Sequence, residues 1–385
     1  MLSAMILLLV CSGLAWKYND IAPHAVYNSQ DIELVSFRSI ETSGQLIFYL
    51  LAIILVCFGG LRTVMNDTWL YSQNFLYRIP ATFDELENMN WLIGANPLFT
   101  LYQVALKVFV SENEHMFVFI TTAFTTLSYI LFFRKYSIDF RLTIFVYLGL
   151  TTYGFTLAAM KQSIATAIAL WSFPLAVDGK KLRALLVILA ATLFHPYVIV
   201  FVSEFFFIRT IWSKLTLLLM LVVMIFAVAF REVIAIVTRF TAIIGDEYSD
   251  FGEGINIFRM LVYLVVPALS FVYRENLREV GNKFMLAAIN MCIVSGAIAI
   301  IARVGGAILV GRVISYFDAF TCLSLPFVLN YGIKNKALRS TVTYISVPLF
   351  CVYYYTYYSK YLPLDGSWFT DFYGHISIWE LIIEQ

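Results

Sequence analysis

Residues 182–208 read LRALLVILAATLFHPYVIVFVSEFFFI, an apolar run interrupted at His195-Pro196. Whether it crosses a bilayer once or turns back inside it decides the topology of the whole chain. Proline removes a helix donor and disfavours helical geometry in the residue before it, so a break at His195 has a local cause. Four short stretches, Arg134–Arg141, Lys180–Arg183, Arg274–Lys283 and Lys334–Arg339, each carry three Lys or Arg residues, and by the positive-inside bias they face the cytoplasm. An even number of crossings must then separate the second stretch from the third. Apolar blocks at 215–230 and 258–273 lie between them, and a continuous 182–208 helix would make the count odd. Parity is restored if the segment climbs to His195-Pro196, breaks, and descends to Arg209 and Lys214. Non-helical backbone at membrane depth is tolerated where protein buries it or a water-filled cavity solvates it. The competing reading is one long tilted helix with a proline kink and a different count elsewhere.

Composition supports a bilayer as solvent. Hydrophobic residues make up 61% of the chain and charged residues 13%, with a mean hydropathy of +0.81, too little polar surface to cover a soluble globule. The apolar residues come in blocks near 2–16, 45–61, 115–133, 142–154, 157–176, 215–230, 258–273, 284–302, 312–332 and 338–357. Those lengths suit membrane helices, whereas a barrel would alternate at period two. The expectation is an all-α polytopic transmembrane bundle of about 10 to 12 spans, with a broken or re-entrant helix near His195-Pro196. The segment 97–110 is only about 21 Å long as a helix, so it is expected to lie re-entrant or interfacial. Met1–Trp16 lacks a basic n-region and a cleavage site and reads as a retained first span.

No internal repeat or linker tract appears, so 1–385 reads as a single domain. With the four basic stretches inside, segments 62–96, 231–257, 303–311 and 358–385 lie on the outer face. A net charge of +1 argues against nucleic acid as a partner. The five cysteines, Cys11, Cys57, Cys292, Cys322 and Cys351, all fall in apolar blocks without metal-ligand spacing. No phosphate loop, nucleophile elbow or HExxH appears, nor any run of Asp and Glu that would hold a catalytic metal.

An ionisable group in a span costs roughly 2.5 to 3.5 kcal/mol on insertion scales, so each needs a partner, a cavity or a task. Lys161, His195, Arg259, Arg303, Arg312 and Asp318 share an outer depth in this scheme. Several cations with few acids suit an anion, and guanidinium groups grip phosphate oxygens through paired donors. Taken singly, Arg303 and Arg312 also fit snorkelling to headgroups. His195 reads either as a hydrogen-bonded structural residue or as a base for a hydroxyl proton. Asp67 is an alternative base or a partner of Arg62, and Asp318 most simply neutralises an arginine. In 62–96, Arg62, Asp67, Arg78, Asp84, Glu85 and Glu87 alternate with Trp69, Tyr71, Tyr77 and Trp91. That pattern fits a rim for sugars and phosphates, or a belt of aromatics at the headgroups. The run Tyr353, Tyr354, Tyr355, Tyr357, Tyr358 and Tyr361 reads as an outer interface.

The order Arg62, Asp67, Tyr71, then Lys161-Gln162-Ser163-Ile164-Ala165, then Leu193-Phe194-His195, then Arg312 with Tyr316-Phe317 resembles the EpsG family of Wzy-like polysaccharide polymerases. The likeness runs from about residue 45 to 330, and its specificity lies in order and topology, because each motif is short. It implies a GT-C-like, inverting glycosyltransferase of the bacterial cytoplasmic membrane that uses no metal, nucleotide or other cofactor. Such an enzyme joins undecaprenyl-diphosphate-linked oligosaccharide repeat units on the outer face, one lipid-linked chain as donor and another unit as acceptor. Membrane lipids and a chain-length regulator are the other implied partners.

The resemblance places Arg62, Asp67, Gln162, His195 and Arg312 on motif positions. His195 or Asp67 is the expected base, and the motif residues Arg62, Gln162 and Arg312, with Lys161, Arg259 and Arg303 of the outer-depth set, are the expected diphosphate site. Arg78, Tyr71 and Tyr316 are expected near the sugars. One departure is Lys161, where the family usually has arginine; lysine keeps the charge but not the bidentate fork. The segment 17–44 is also long for a cytoplasmic loop of this family. The rivals are a lipid-linked oligosaccharide flippase, a ligase-like glycan transferase and a non-catalytic membrane scaffold.

Overall fold

The computed structural model describes residues 2–21, 26–27, 32–33, 42–63, 65–87, 96–223, 225, 254–305 and 308–360. Segments 88–95, 226–253 and 361–385, with Trp91 and Tyr361, lie outside the described residues. The chain begins with α1 (Leu2–Ile21) and α2 (Thr42–Gly60), between which Val26–Tyr27 pairs antiparallel with Ile32–Glu33. There follow α3 (Thr68–Tyr77), α4 (Phe83–Glu87), α5 (Pro97–Phe109), α6 (Glu114–Tyr136), α7 (Phe140–Gly149), α8 (Thr152–Ala158), α9 (Met160–Ala169), α10 (Ser172–Val177) and α11 (Lys181–Thr192). A 3-10 helix over Pro196–Ser203 leads into α12 (Glu204–Phe207) and α13 (Lys214–Val223). The last part comprises α14 (Ile257–Val272), α15 (Arg274–Val280), α16 (Lys283–Val304), α17 (Ile308–Val313), a 3-10 turn (Ile314–Phe317), α18 (Asp318–Phe327), a π turn (Val328–Gly332) and α19 (Lys336–Tyr358).

Among the described residues, four helices are long and apolar enough to cross a membrane: α2, α6, α16 and the merged Val310–Gly332. Two bent pairs raise the number to six: α7 with α8, at 51°, and α14 with α15, at 76°. The chain is a multi-pass helical membrane protein. The α7/α8 bend has a local cause in Thr151, which adopts the left-handed region at φ 62°, an uncommon conformation for a non-glycine residue. Pro326 in α18 precedes the π turn, consistent with the donor that proline removes.

The bundle has two distinguishable ends. All four basic stretches gather at one. Tyr136 stacks on Phe284 with centroids 4.5 Å apart, Lys283 Nζ donates to the Val177 carbonyl at 2.7 Å, and Lys334 pairs with Glu279. At the opposite end Tyr354 Oη donates to the Ala4 carbonyl at 2.7 Å, closing the last helix onto the first.

This frame resolves segment 182–208 as a re-entrant hairpin. α11 leaves the basic end and stops at Thr192; at the far end the Leu98 amide donates to the Leu193 carbonyl. His195, extended at φ −155° and ψ 116°, heads the 3-10 helix. The chain then returns. Asn290, two turns into α16, donates to the Phe207 and Arg209 carbonyls at 2.8 and 2.9 Å, and Arg278 reaches the Ile211 carbonyl. A 3-10 helix rises about 2.0 Å per residue against 1.5 Å for an α-helix. The eight-residue 3-10 stretch and four-residue α12 therefore descend about 22 Å, enough to match the roughly 18 Å climb of the twelve-residue α11.

α5 packs at the far end. Its contacts are Leu193, Phe117 and Thr121 near its start and the Leu76 and Ile79 carbonyls, held by Lys107, near its close. These contacts seat 97–110 among α3, α6 and the close of α11. A correction concerns the tyrosine run: Tyr354 and Tyr358 are fully buried, not interfacial. They sit four residues apart on the face of α19 turned to α1 and α8. Trp69 and Tyr77 are exposed, as a headgroup belt requires.

Candidate active site

A backbone break at Ala159, φ −108° and ψ 67°, ends α8 and restarts the chain as α9 at the far end of the bundle. Lys161 and Gln162 therefore sit in the first turn of a new helix. Gln162 Nε2 donates to the Arg312 carbonyl at 3.2 Å, and Arg259 Nη2 donates to the adjacent Gly311 carbonyl at 3.2 Å. Two consecutive carbonyls of α17 are thus held from two sides. The Arg312 side chain projects from that clamped turn and is exposed, with no hydrogen-bond or ion-pair partner among the described residues.

Lys161 Nζ lies 5.7 Å from the Tyr71 ring centroid and 5.4 Å from that of Phe99. Aromatic faces hold a cation without occupying its N–H donors, so the ammonium keeps its hydrogen-bonding capacity. Lys161 is also within electrostatic reach of His195, and Tyr71 within reach of Arg312. His195 Nδ1 and Tyr316 Oη are 2.8 Å apart. The far end therefore joins Tyr71, Phe99, Lys161, Gln162, His195, Arg312 and Tyr316 from five separate parts of the chain, with two cations and an imidazole among them and Asp67 within electrostatic reach of Tyr71.

The sequence profile of the EpsG family matches residues 45–369, most of the chain. This chain belongs to the EpsG family. Its members are Wzy-like polysaccharide polymerases, so the cationic cluster sits in a membrane glycosyltransferase of polysaccharide biosynthesis. No curated protein and no solved structure matches the chain.

In this EpsG-family protein other motif residues take different places. Arg62 is 1% exposed. Its Nε donates to Thr68 Oγ1 at 3.1 Å, Nη1 to Thr122 Oγ1 at 2.7 Å and to the Gly59 carbonyl, and Nη2 to the Leu157 carbonyl at 2.6 Å. It therefore ties α2, α3, α6 and α8 together instead of facing an open pocket. A Cβ on Gly59 would meet Leu157 Cδ2 at 2.5 Å and Tyr153 Oη at 2.7 Å, so glycine permits the close approach that this arginine bridges. Of the two readings of Asp67, the pairing with Arg62 is not made; Asp67 is exposed at the N-cap of α3.

Arg259 and Arg303 lie on the other flank of α17. Arg259 stands beside Tyr263, Tyr353 and Asp318, and Arg303 Nη1 donates to the Ile255 carbonyl at 3.4 Å. Asp318 is buried among Tyr263, Thr152 and Arg259. Arg78 is exposed at the opposite end of α3 from Asp67, about 15 Å along the helix. Tyr316 is 1% exposed, and its hydroxyl meets His195, which makes it a positioning residue for the imidazole.

Sequence reading passed over two features. Glu204, in the returning leg, is fully buried with Ser172 Oγ donating to Oε2 at 3.2 Å; the signal was a lone acid inside an apolar run. Phe99, the second ring over Lys161, carried no signal, because a phenylalanine in an apolar helix is unremarkable. Among the described residues no group of three or more His, Cys, Asp or Glu could hold a metal ion.

Proposed function

We propose that this protein joins undecaprenyl-diphosphate-linked oligosaccharide repeat units at the outer face of a bacterial cytoplasmic membrane, transferring the growing glycan to a sugar hydroxyl of a second lipid-linked unit. The observation that supports this reading is the convergence of Lys161, His195 and Arg312, with open donors, at the end of the bundle opposite the four basic stretches. A diphosphate is the anion those donors suit, and the positive-inside bias assigns that end to the exterior.

Hydrogen bonding refines the role of His195. A buried hydroxyl needs an acceptor. If Nδ1–H donated to Tyr316 Oη, freeing Nε2 as a base, the buried Tyr316 proton would lose its acceptor. With Tyr316 donating to Nδ1, both groups are paired and Nε2 carries the proton. His195 then acts as a third donor, beside Lys161 and Arg312, to charge developing on the departing diphosphate. Preorganised donors in a dry site are worth the most at that step. The base is Asp67, exposed at the N-terminus of α3 one turn from Tyr71, and the transfer has the inverting, GT-C-like form with no metal or nucleotide. Gln162 and Arg259 hold the backbone that carries Arg312. The lipid-linked donor and acceptor are the substrates, and a chain-length regulator fits as a partner.

The test is polymerisation in proteoliposomes with a synthetic lipid-linked repeat unit and no ion gradient. Formation of a glycan ladder by the wild type, and its loss in Arg312→Ala, is the expected result. Ladder formation unaffected by Arg312→Ala, or transport of the lipid-linked unit without elongation, overturns the proposal.

A further inference from the structure

At the basic end a cavity of about 400 Å³ opens between α15, the π turn and the start of α19. Its walls carry Asn276, Asn330, Lys334, Lys336 and Arg339, with Glu279 as the lone acid. We infer that this cavity binds the phosphate headgroup of an anionic phospholipid, at a site separate from the glycosyl-transfer cluster and independent of that reading.

Three features carry the inference. First, three cations face one carboxylate, and they are not consumed by it. Lys334 pairs with Glu279 at 2.8 Å, but both side chains are about two-thirds exposed, and exposed pairs exchange partners at little cost. Lys336 Nζ has no hydrogen-bond or ion-pair partner among the described residues, and Arg339 commits Nη1 to the Asn330 carbonyl while its remaining donors stay open. Second, the cavity is held open by its own backbone links. Asn276 Nδ2 donates to the Gly332 carbonyl at 2.7 Å, which fixes α15 against the π turn and keeps the donors spaced.

Third, an apolar track leaves the cavity along α19. Leu338, Ile345, Leu349 and Val352 are 44%, 58%, 65% and 61% exposed. Their spacing of seven, four and three residues places them on one helix face, about 21 Å long from first to last. That length exceeds the half-thickness of about 15 Å of a bilayer core, so acyl chains can lie along the track while the headgroup sits in the cavity. A free phosphate would use the cations but not the track. Basic pockets between helices on the cytoplasmic side commonly take anionic headgroups.

The test uses full-length protein in a mild uncharged detergent. It is titrated with dioleoylphosphatidylglycerol, dioleoylphosphatidylcholine or inorganic phosphate, and read by native mass spectrometry and thermal unfolding. Phosphatidylglycerol is expected to be retained preferentially and to raise Tm by several degrees through binding linkage. A Lys334→Gln/Lys336→Gln double variant should lower its occupancy about tenfold. A Lys180→Gln/Lys181→Gln double variant, equal in charge change and at the same end but outside the cavity lining, should leave occupancy unchanged. Equal losses in the two double variants would show only general surface charge and overturn the site. Equal retention of phosphatidylcholine does the same, and stabilisation by inorganic phosphate as large as by phosphatidylglycerol overturns the lipid assignment. Should the first variant fail to fold, wild-type retention of phosphatidylglycerol that is insensitive to raising salt from 0.05 to 0.5 M would count equally against it.

Discussion

Tyr316 Oη and His195 Nδ1 lie 2.8 Å apart across 121 residues of sequence, and this contact leaves Nε2 as the imidazole nitrogen open to another partner. His195→Gln keeps an N–H near the Nε2 position but has no basic nitrogen. It should retain elongation within about tenfold of wild type, whereas His195→Ala should lose about 10² to 10³, the scale of one lost oxyanion donor. Equal, complete loss in both variants would assign His195 the proton-accepting role instead. The measurement is initial rate of glycan elongation at saturating lipid-linked substrate.

Arg62 is expected to behave as a structural residue. Removing it strands four neutral acceptors and opens the α2–α8 contact, at a cost of about 1–3 kcal/mol for each buried acceptor left without a donor. Arg62→Ala should lower Tm in detergent sharply, and Arg62→Lys should not restore it, since one ammonium cannot reach Thr68, Thr122 and two carbonyls in a planar fork. A normal Tm with a raised KM would instead put Arg62 in the substrate site.

Topology is open to single-cysteine labelling in intact cells. Cysteines replacing Lys180, Lys214, Glu279 and Lys334 should share one side, and cysteines replacing Asp67 and Arg312 the other. Lys214 on the side opposite Lys180 would mean that 182–208 crosses once and that the hairpin does not exist. Three of the five native cysteines are buried, so the background is low.

The clamp on α17 makes Gln162 a positioning residue. Gln162→Glu removes the amide donor to the Arg312 carbonyl while conserving size. It should raise KM for the lipid-linked donor several-fold with little change in Tm, and Gln162→Asn, a donor on a shorter arm, should recover part of the loss. Unchanged KM in Gln162→Glu would separate this contact from substrate binding.

Much of the architecture was legible because its causes are local. Block lengths marked the spans, the basic stretches marked one end, and His195-Pro196 marked the break through proline's missing donor. The seat of α5 was only half legible, since a length too short to cross does not say which helices it rests on. Long-range partners were not legible. The burial of Arg62 depends on Leu157 and Thr122, 95 and 60 residues away, and nothing near Arg62 distinguishes a bridging arginine from a phosphate ligand. Tyr354 and Tyr358 misled for the opposite reason, because a tyrosine run resembles a belt until the helix face that meets α1 is known. For the cluster itself, order along the chain named Lys161, Gln162, His195 and Arg312, which the fold brings to one end, while the contact of His195 with Tyr316 was not legible.

The most direct measurement is the affinity of undecaprenyl diphosphate for the protein in nanodiscs, compared between wild type and a Lys161→Ala/Arg312→Ala double variant of unchanged Tm. Loss of the two cations should weaken binding at least about tenfold, corresponding to about 1.4 kcal/mol. Equal affinity in the two proteins would contradict a diphosphate site at the far end of the bundle.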